Sequence, residues 1–235
     1  MTTSATGTTT NYQNLARQAE HDLADATAAE ALAWTVENFG DRFIVASNMQ
    51  DAVLIDLAYR AKPDIDVLFL ETGYHFAETI GVRDAVDLVY PEARIVNAAA
   101  EQSVADQEAE FGLLNRTDPA KCCFLRKVEP LRKTLAGYDA WVTGVRRVDA
   151  PTRATTPIVQ WDERNGLVKI NPLAAWSDEE FHAYIAENGI LENPLVQAGY
   201  PSIGCAPCTA KPLPGQDARS GRWAGQAKTE CGLHG

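Results

Sequence analysis

Five cysteines carry the most specific chemistry in this 235-residue chain, and they fall in three places. Cys122 and Cys123 are adjacent, Cys205-Ala206-Pro207-Cys208 is a C-x-x-C turn, and Cys231 stands alone near the C-terminal end. The two pairs can supply four thiolates to one metal centre, which leaves a fifth thiol for covalent work. A disulfide framework fits poorly. The count is odd, adjacent cysteines are badly placed to bridge each other across a trans peptide, and residues 1–10 have neither the basic start nor the apolar run of a secretory signal. The expected compartment is the cytoplasm, where paired cysteines usually serve metals or redox chemistry. Zinc suits the C-x-x-C spacing. Neighbours such as Cys122 and Cys123 chelate one small tetrahedral ion with difficulty and reach two irons of a cluster more easily. Spacing alone favours iron–sulfur and leaves zinc open.

Charge bounds the ligand class. The net charge of −11 argues against general nucleic-acid binding, and no stretch approaches the ~18 consecutive apolar residues of a membrane span. Between Arg116 and Arg153, however, nine basic residues face only four acidic ones. This local excess reads as a site for a small anion. Gly144-Val145-Arg146-Arg147 follows an apolar run and Arg153 comes soon after, so arginines at a strand end can fork around sulfate or phosphate oxygens. In the tail, Arg219, Arg222, Lys228 and His234 flank Cys231, and cations of this kind favour a thiolate. Gly221 and Gly225 suggest a segment that closes over a ligand.

These residues need a scaffold, and the apolar pattern supplies one. Residues 1–11 are Thr-rich and expected to be disordered, and residues 12–39 read as one or two helices. Phe43–Ala46, Asp66–Leu70 and Ala93–Asn97 are short continuous apolar runs, separated by helical spacing over 50–60 and 74–89. That alternation predicts an α/β fold with a mostly parallel sheet and helices on both faces. A helix over 122–135 and strands at 140–143, 158–161 and 167–170 follow. Ser177 with Glu180 forms a capping box for a helix ending at Gly189. The chain reads as a single domain over 12–235, with 209–235 as a flexible tail. Ser47-Asn48-Met49-Gln50-Asp51 and Glu71-Thr72-Gly73 end the first two strands, where ligands bind in such sheets. Ser47, Thr72 and Gly73 are therefore candidate substrate contacts.

The combination of motifs resembles the assimilatory adenylyl-sulfate reductases of the larger phosphoadenylyl-sulfate reductase family. The resemblance runs from about Phe43 to His234. It is carried by residues 116–123 (RTDPAKCC), 126–131 (RKVEPL), 144–147 (GVRR), 204–208 (GCAPC) and 230–234 (ECGLH). It implies a fold of the adenine-nucleotide hydrolase and ATP-pyrophosphatase type. It also implies a [4Fe–4S] cluster on Cys122, Cys123, Cys205 and Cys208, and adenylyl sulfate (APS) rather than its 3′-phosphorylated form (PAPS) as substrate. Lys127 matches the family lysine between cluster and substrate, and Arg219, Arg222 and His234 match residues of the closing tail. The sequence departs from the family in its first loop, which lacks a glycine and has Gln50 in place of an acid, and in Glu71-Thr72-Gly73, which usually begins with Asp.

The resulting expectation is an enzyme in which Cys231 attacks the sulfur of APS, AMP leaves, and thioredoxin releases sulfite from a Cys S-sulfonate. Arg146, Arg147, Arg153 and Lys127 would offset the developing charge. Three rivals stand beside it: reduction of PAPS, an ATP-pyrophosphatase that adenylylates its substrate, and a cluster- or zinc-bearing nucleotide sensor. Oligomeric state is left open, a homo-oligomer included.

Overall fold

A computed structural model describes residues 5–223 and 232–233. The chain forms α1 (Ala5–Asp22), α2 (Ala28–Phe39), β1 (Phe43–Ser47), α3 (Val53–Ala61), β2 (Asp66–Glu71), α4 (Ala77–Val89) and β3 (Arg94–Ala99). There follow α5 (Val104–Phe111), α6 (Leu114–Thr117), α7 (Pro119–Cys123), a π-helical turn over Phe124–Val128, α8 (Glu129–Leu135) and β4 (Ala140–Thr143). β5 (Val159–Asp162), β6 (Leu167–Ile170), α9 (Asp178–Asn188) and α10 (Pro194–Gln197) complete the described helices and strands apart from short 3-10 turns.

The six strands lie in the order β3-β2-β1-β4-β6-β5. All neighbours are parallel except β5, which closes the edge antiparallel to β6. Alternate side chains of each strand enter two cores. Phe43, Val45, Val67, Phe69, Val142 and Val168 face a large cluster completed by α1, α2, α3 and α4. Ile44, Leu68, Trp141 and Leu167 face a smaller one, covered by Leu131 and Leu135 of α8 and by Leu233. A strand buried on both faces must be apolar throughout, which is why these runs do not alternate in sequence.

Several boundaries differ from the sequence reading for physical reasons. α1 begins at Ala5, inside the stretch read as disordered. It extends back from Tyr12, Leu15, Ala16 and Ala19, which pack on the main core. α3 begins at Val53 rather than at residue 50, because Asp51 stays outside the helix and its carboxylate accepts from Val53 N at 3.1 Å. The expected helix over 122–135 is three pieces, with the π-helical turn in the middle. α9 matches its expected capping box, and Gly189 ends it in the left-handed region at φ +59°.

Candidate active site

The chain runs outward from β1 to β2 and β3, then returns to place β4 on the other side of β1. This reversal opens a crevice at the carboxyl ends of β1 and β4, the position where open α/β sheets bind ligands. The crevice here is a cleft of about 690 Å³. Ser47, Thr72, Gly144, Arg146 and Arg153 line it, as do Lys127, Arg219 and Arg222. Leu233 lines it as well, two residues along the chain from Cys231. Cys231 and His234 themselves lie outside the described residues, as does Lys228.

The β1 loop is stitched to the segment that leads into the C-x-x-C turn. Gln50 Nε2 donates to Pro201 O at 3.1 Å, and its Oε1 accepts from Ile203 N at 2.9 Å. A glutamate could make only the second of these bonds. The departure from an acid therefore has a local cause: the amide holds both ends of a turn. Buried Asn193 adds a bond from Nδ2 to Met49 O at 3.1 Å. Met49 sits at φ +58°, a conformation in which glycine would be free of strain. Ser47 Oγ supports it by accepting from Met49 N at 3.1 Å. Asp51 lines the cleft, and burial pushes its carboxyl up to about 6 despite the Val53 amide and the positive charge of Arg146.

The four paired cysteines come together beside this cleft. Cys122, Cys123, Cys205 and Cys208 line one small cavity with Arg126 and Lys127. The first pair ends α7, whose start is capped by Asp118, and the π-helical turn follows at once. The second pair is held on two sides. Ala206 N donates to Tyr74 O at 2.7 Å, and Trp223 N donates to Cys208 O at 2.9 Å. The Cys205 thiol donates to Thr72 Oγ1 at 3.4 Å. Burial, then the neighbouring thiols, push Cys122 up to about 11 and raise Cys208. Such a crowd of sulfurs cannot hold several negative charges unless a cation is among them. Among the described residues, no group of His, Cys, Asp or Glu side chains forms a ready-made single-ion site.

Lys127 and Arg222 line both the thiol cavity and the cleft. Arg222 Nη1 donates to Ile203 O at 3.1 Å, and its guanidinium lies against Gly204, where a Cβ would come within 2.2 Å of Nη2. The wider π-helical turn aims Lys127 between the two spaces, a known use of such turns at functional sites.

Other candidates are placed differently. Arg147 does not line the cleft; its Nε donates to Thr156 O at 2.9 Å. Gly73 packs away from it, at φ +73°, where a Cβ would lie 2.5 Å from Val104 Cγ2. Its missing side chain lets the loop after β2 approach Val104 closely. Arg146 does reach the cleft but is heavily engaged, at 2.8 Å from Asp149, 2.9 Å from Asp178 and 4.4 Å from the Phe181 ring. Gly221, one of two glycines expected to mark a closing segment, is tightly packed, since a Cβ there would meet Ala210 O at 1.9 Å. Sequence reasoning did not single out His75, which lines the cleft with its ring 4.7 Å from that of Phe69. Burial lowers its pKa. Its only sequence signal was position, three residues after Thr72.

Residues 42–211 match the phosphoadenosine phosphosulfate reductase domain. A protein of Mycolicibacterium smegmatis called adenosine 5′-phosphosulfate reductase is 60% identical over 235 residues, covering 100% of this chain and 99% of its own. The structure of Candida auris phosphoadenylyl-sulfate (PAPS) reductase, a phosphate complex, superposes with a TM-score of 0.71 at 28% identity, over 83% of this chain and 95% of that one. Candida glabrata FMN adenylyltransferase, with FAD and pyrophosphate, shares the fold alone, with a TM-score of 0.56 at 12% identity over 85% of this chain and 74% of that one. The sheet is thus the mostly parallel one of the adenine-nucleotide hydrolase type. With the matched domain spanning more than half of the sequence and a relative aligned along its whole length, the chain belongs to the phosphoadenosine phosphosulfate reductase family.

Proposed function

We propose that the protein is a cytoplasmic reductase that converts adenosine 5′-phosphosulfate to sulfite and AMP in sulfate assimilation, using thioredoxin as the reductant. The observation that carries this reading is the shared wall: Lys127 and Arg222 face both the switch-point cleft and the cavity of four thiols. The name of the relative aligned along the full length supplies the substrate. That no described helix is long and apolar enough to cross a membrane is consistent with the compartment.

Four sulfur donors around one cavity, two from a helix end and two from a turn, fit the ligand set of a [4Fe–4S] cluster. Cys122, Cys123, Cys205 and Cys208 would hold it. When bound, the cluster ties these distant segments together and sets the local electrostatic field.

The rest is work for the chain's own groups. The cleft receives the nucleotide against Ser47 and Gly144, with the sulfate end toward Lys127, Arg219 and Arg222; by its motif His234 acts with Cys231. Cys231 attacks as thiolate. Its sulfur forms a bond to the sulfate sulfur while the bond to the bridging phosphate oxygen breaks, and AMP leaves with that electron pair. The cations stabilise the charge as it moves. A thioredoxin thiolate then attacks the Cys231 sulfur, sulfite departs with the electron pair of the S–S bond, and the second thioredoxin thiol resolves the mixed disulfide. Two thiols are oxidised and one sulfonyl sulfur is reduced, so the electrons balance.

Anaerobically purified protein should contain iron and sulfide and absorb in the visible. It should release sulfite and AMP from adenosine 5′-phosphosulfate with reduced thioredoxin, and much faster than from the 3′-phosphorylated analogue. Cys231→Ser should keep iron and AMP binding and lose sulfite release. Colourless zinc protein, or normal turnover in Cys231→Ser, would refute the cluster or the nucleophile respectively.

A further inference from the structure

Arg126 is a buried cation whose charge no carboxylate among the described residues answers. It is 5% exposed and sits in the π-helical turn immediately after the adjacent cysteines. Its Nε donates to Thr72 O, and its Nη1 donates to Gln102 O at 3.0 Å and to Gln107 Oε1 at 3.3 Å. Its guanidinium carbon lies 5.7 Å from the centre of the Tyr74 ring. All of these partners are neutral, and among the described residues no carboxylate forms an ion pair with it. Glu108 stands one step further out and accepts from the Tyr74 hydroxyl at 2.8 Å.

Neutral acceptors satisfy the N–H groups of a guanidinium but leave its charge. Holding an uncompensated charge away from water costs several kcal/mol, so folds keep one only where an opposite charge meets it. Arg126 lines the cavity of the four thiols. A cluster held by four thiolates carries net negative charge.

We infer that Arg126 is the fixed counter-charge of the thiolate centre, a positioning residue that holds the centre by electrostatics and sets how readily it takes an electron. This rests on the proposed reading that Cys122, Cys123, Cys205 and Cys208 bind a cluster. The fork geometry of Arg126 has a second use, since it ties Thr72 and the 102–107 segment to the helix. A purely structural role would depend on that fork and not on the charge.

The two roles separate by substitution. Arg126→Lys keeps the charge and loses the fork, Arg126→Gln removes the charge, and Gln107→Leu removes one acceptor while leaving the charge in place. The measurement is the rate at which an iron chelator strips anaerobically purified protein, together with the midpoint potential of the bound centre. Arg126→Gln should lose iron at least about tenfold faster than wild type and move the midpoint to more negative potential, while Arg126→Lys and Gln107→Leu stay within about threefold and near the wild-type midpoint. If Arg126→Lys sheds iron as fast as Arg126→Gln, or if Arg126→Gln holds it as wild type does, the counter-charge is refuted and the cluster assignment stands. Where Arg126→Gln gives no folded protein, Arg126→Lys decides alone: retention within about threefold supports the inference, and loss about tenfold faster overturns it. Wild-type protein that contains no iron or sulfide overturns the cluster reading and this inference with it.

Discussion

Asp51 should make the protein less stable at neutral pH than it would be with an amide in its place. Burial is the main cause that pushes this carboxyl from 3.8 up to about 6, against the pull of the Val53 amide and Arg146, and with Glu192 and Asp149 adding to the rise. A group whose folded pKa is raised contributes its full stability below 3.8, and that contribution is lost as pH rises through about 6. At about 1.36 kcal/mol per pH unit, ionised Asp51 costs at most about 3 kcal/mol at pH 7 and above, and about half of that at pH 5. Asp51→Asn keeps the oxygen that accepts from Val53 N and removes the charge. It should therefore raise the melting temperature at pH 8 by as much as about 6–12 °C, with a gain about half as large at pH 5. Unfolding curves of both proteins across pH 5 to 8 provide the test. A gain independent of pH, or largest at the acid end, would show that burial does not raise the pKa of this carboxyl.

Three further substitutions probe the elements that shape the cleft. Gly73→Ala combines a left-handed backbone with a Cβ 2.5 Å from Val104 Cγ2, and should lower stability by about 2–4 kcal/mol in denaturant unfolding. Gln50→Glu loses the bond to Pro201 O and sets a carboxylate against that carbonyl; a loss of about 1–2 kcal/mol is expected, with a raised KM for the nucleotide in steady-state assays. Leu233→Ser uncovers part of the smaller core around Leu68 and Trp141. It should cost about 1–2 kcal/mol and speed proteolysis of the C-terminal segment, read by mass spectrometry.

Much of the scaffold was legible because its signals are local. Phe43–Ser47 and Asp66–Glu71 announce themselves as short apolar runs, and Ser177 with Glu180 marks a helix start by a bond between near neighbours. The features that escaped depend on partners far away in sequence. The π-helical turn over Phe124–Val128 carries no periodic signature of its own. Arg126 in it is anchored to Thr72 and Gln102, which no spacing rule could pair with it. α5 is an exception, since its signal is local: Ser103 caps it by accepting from Asp106 N. A glycine such as Gly221 can mean freedom or crowding, and the crowding against Ala210 O has no signal in the sequence. The thiols were legible by type and their grouping by resemblance. The placement of Lys127 and Arg222 on a common wall required three dimensions.

The same π-helical turn makes a regular helix and a working site alternatives. α7 and α8 on either side of it are ordinary helices fixed by their own contacts. Deleting one residue between them would let the backbone ladder return to its usual i to i−4 spacing without moving either neighbour, while turning the intervening side chains by about 100° for the lost position. Such a shortened chain would have a smoother backbone there, and Arg126 and Lys127 would point elsewhere. Selection for stability alone would therefore tend to erase this irregularity, and its persistence in a lineage would report that the site is still in use.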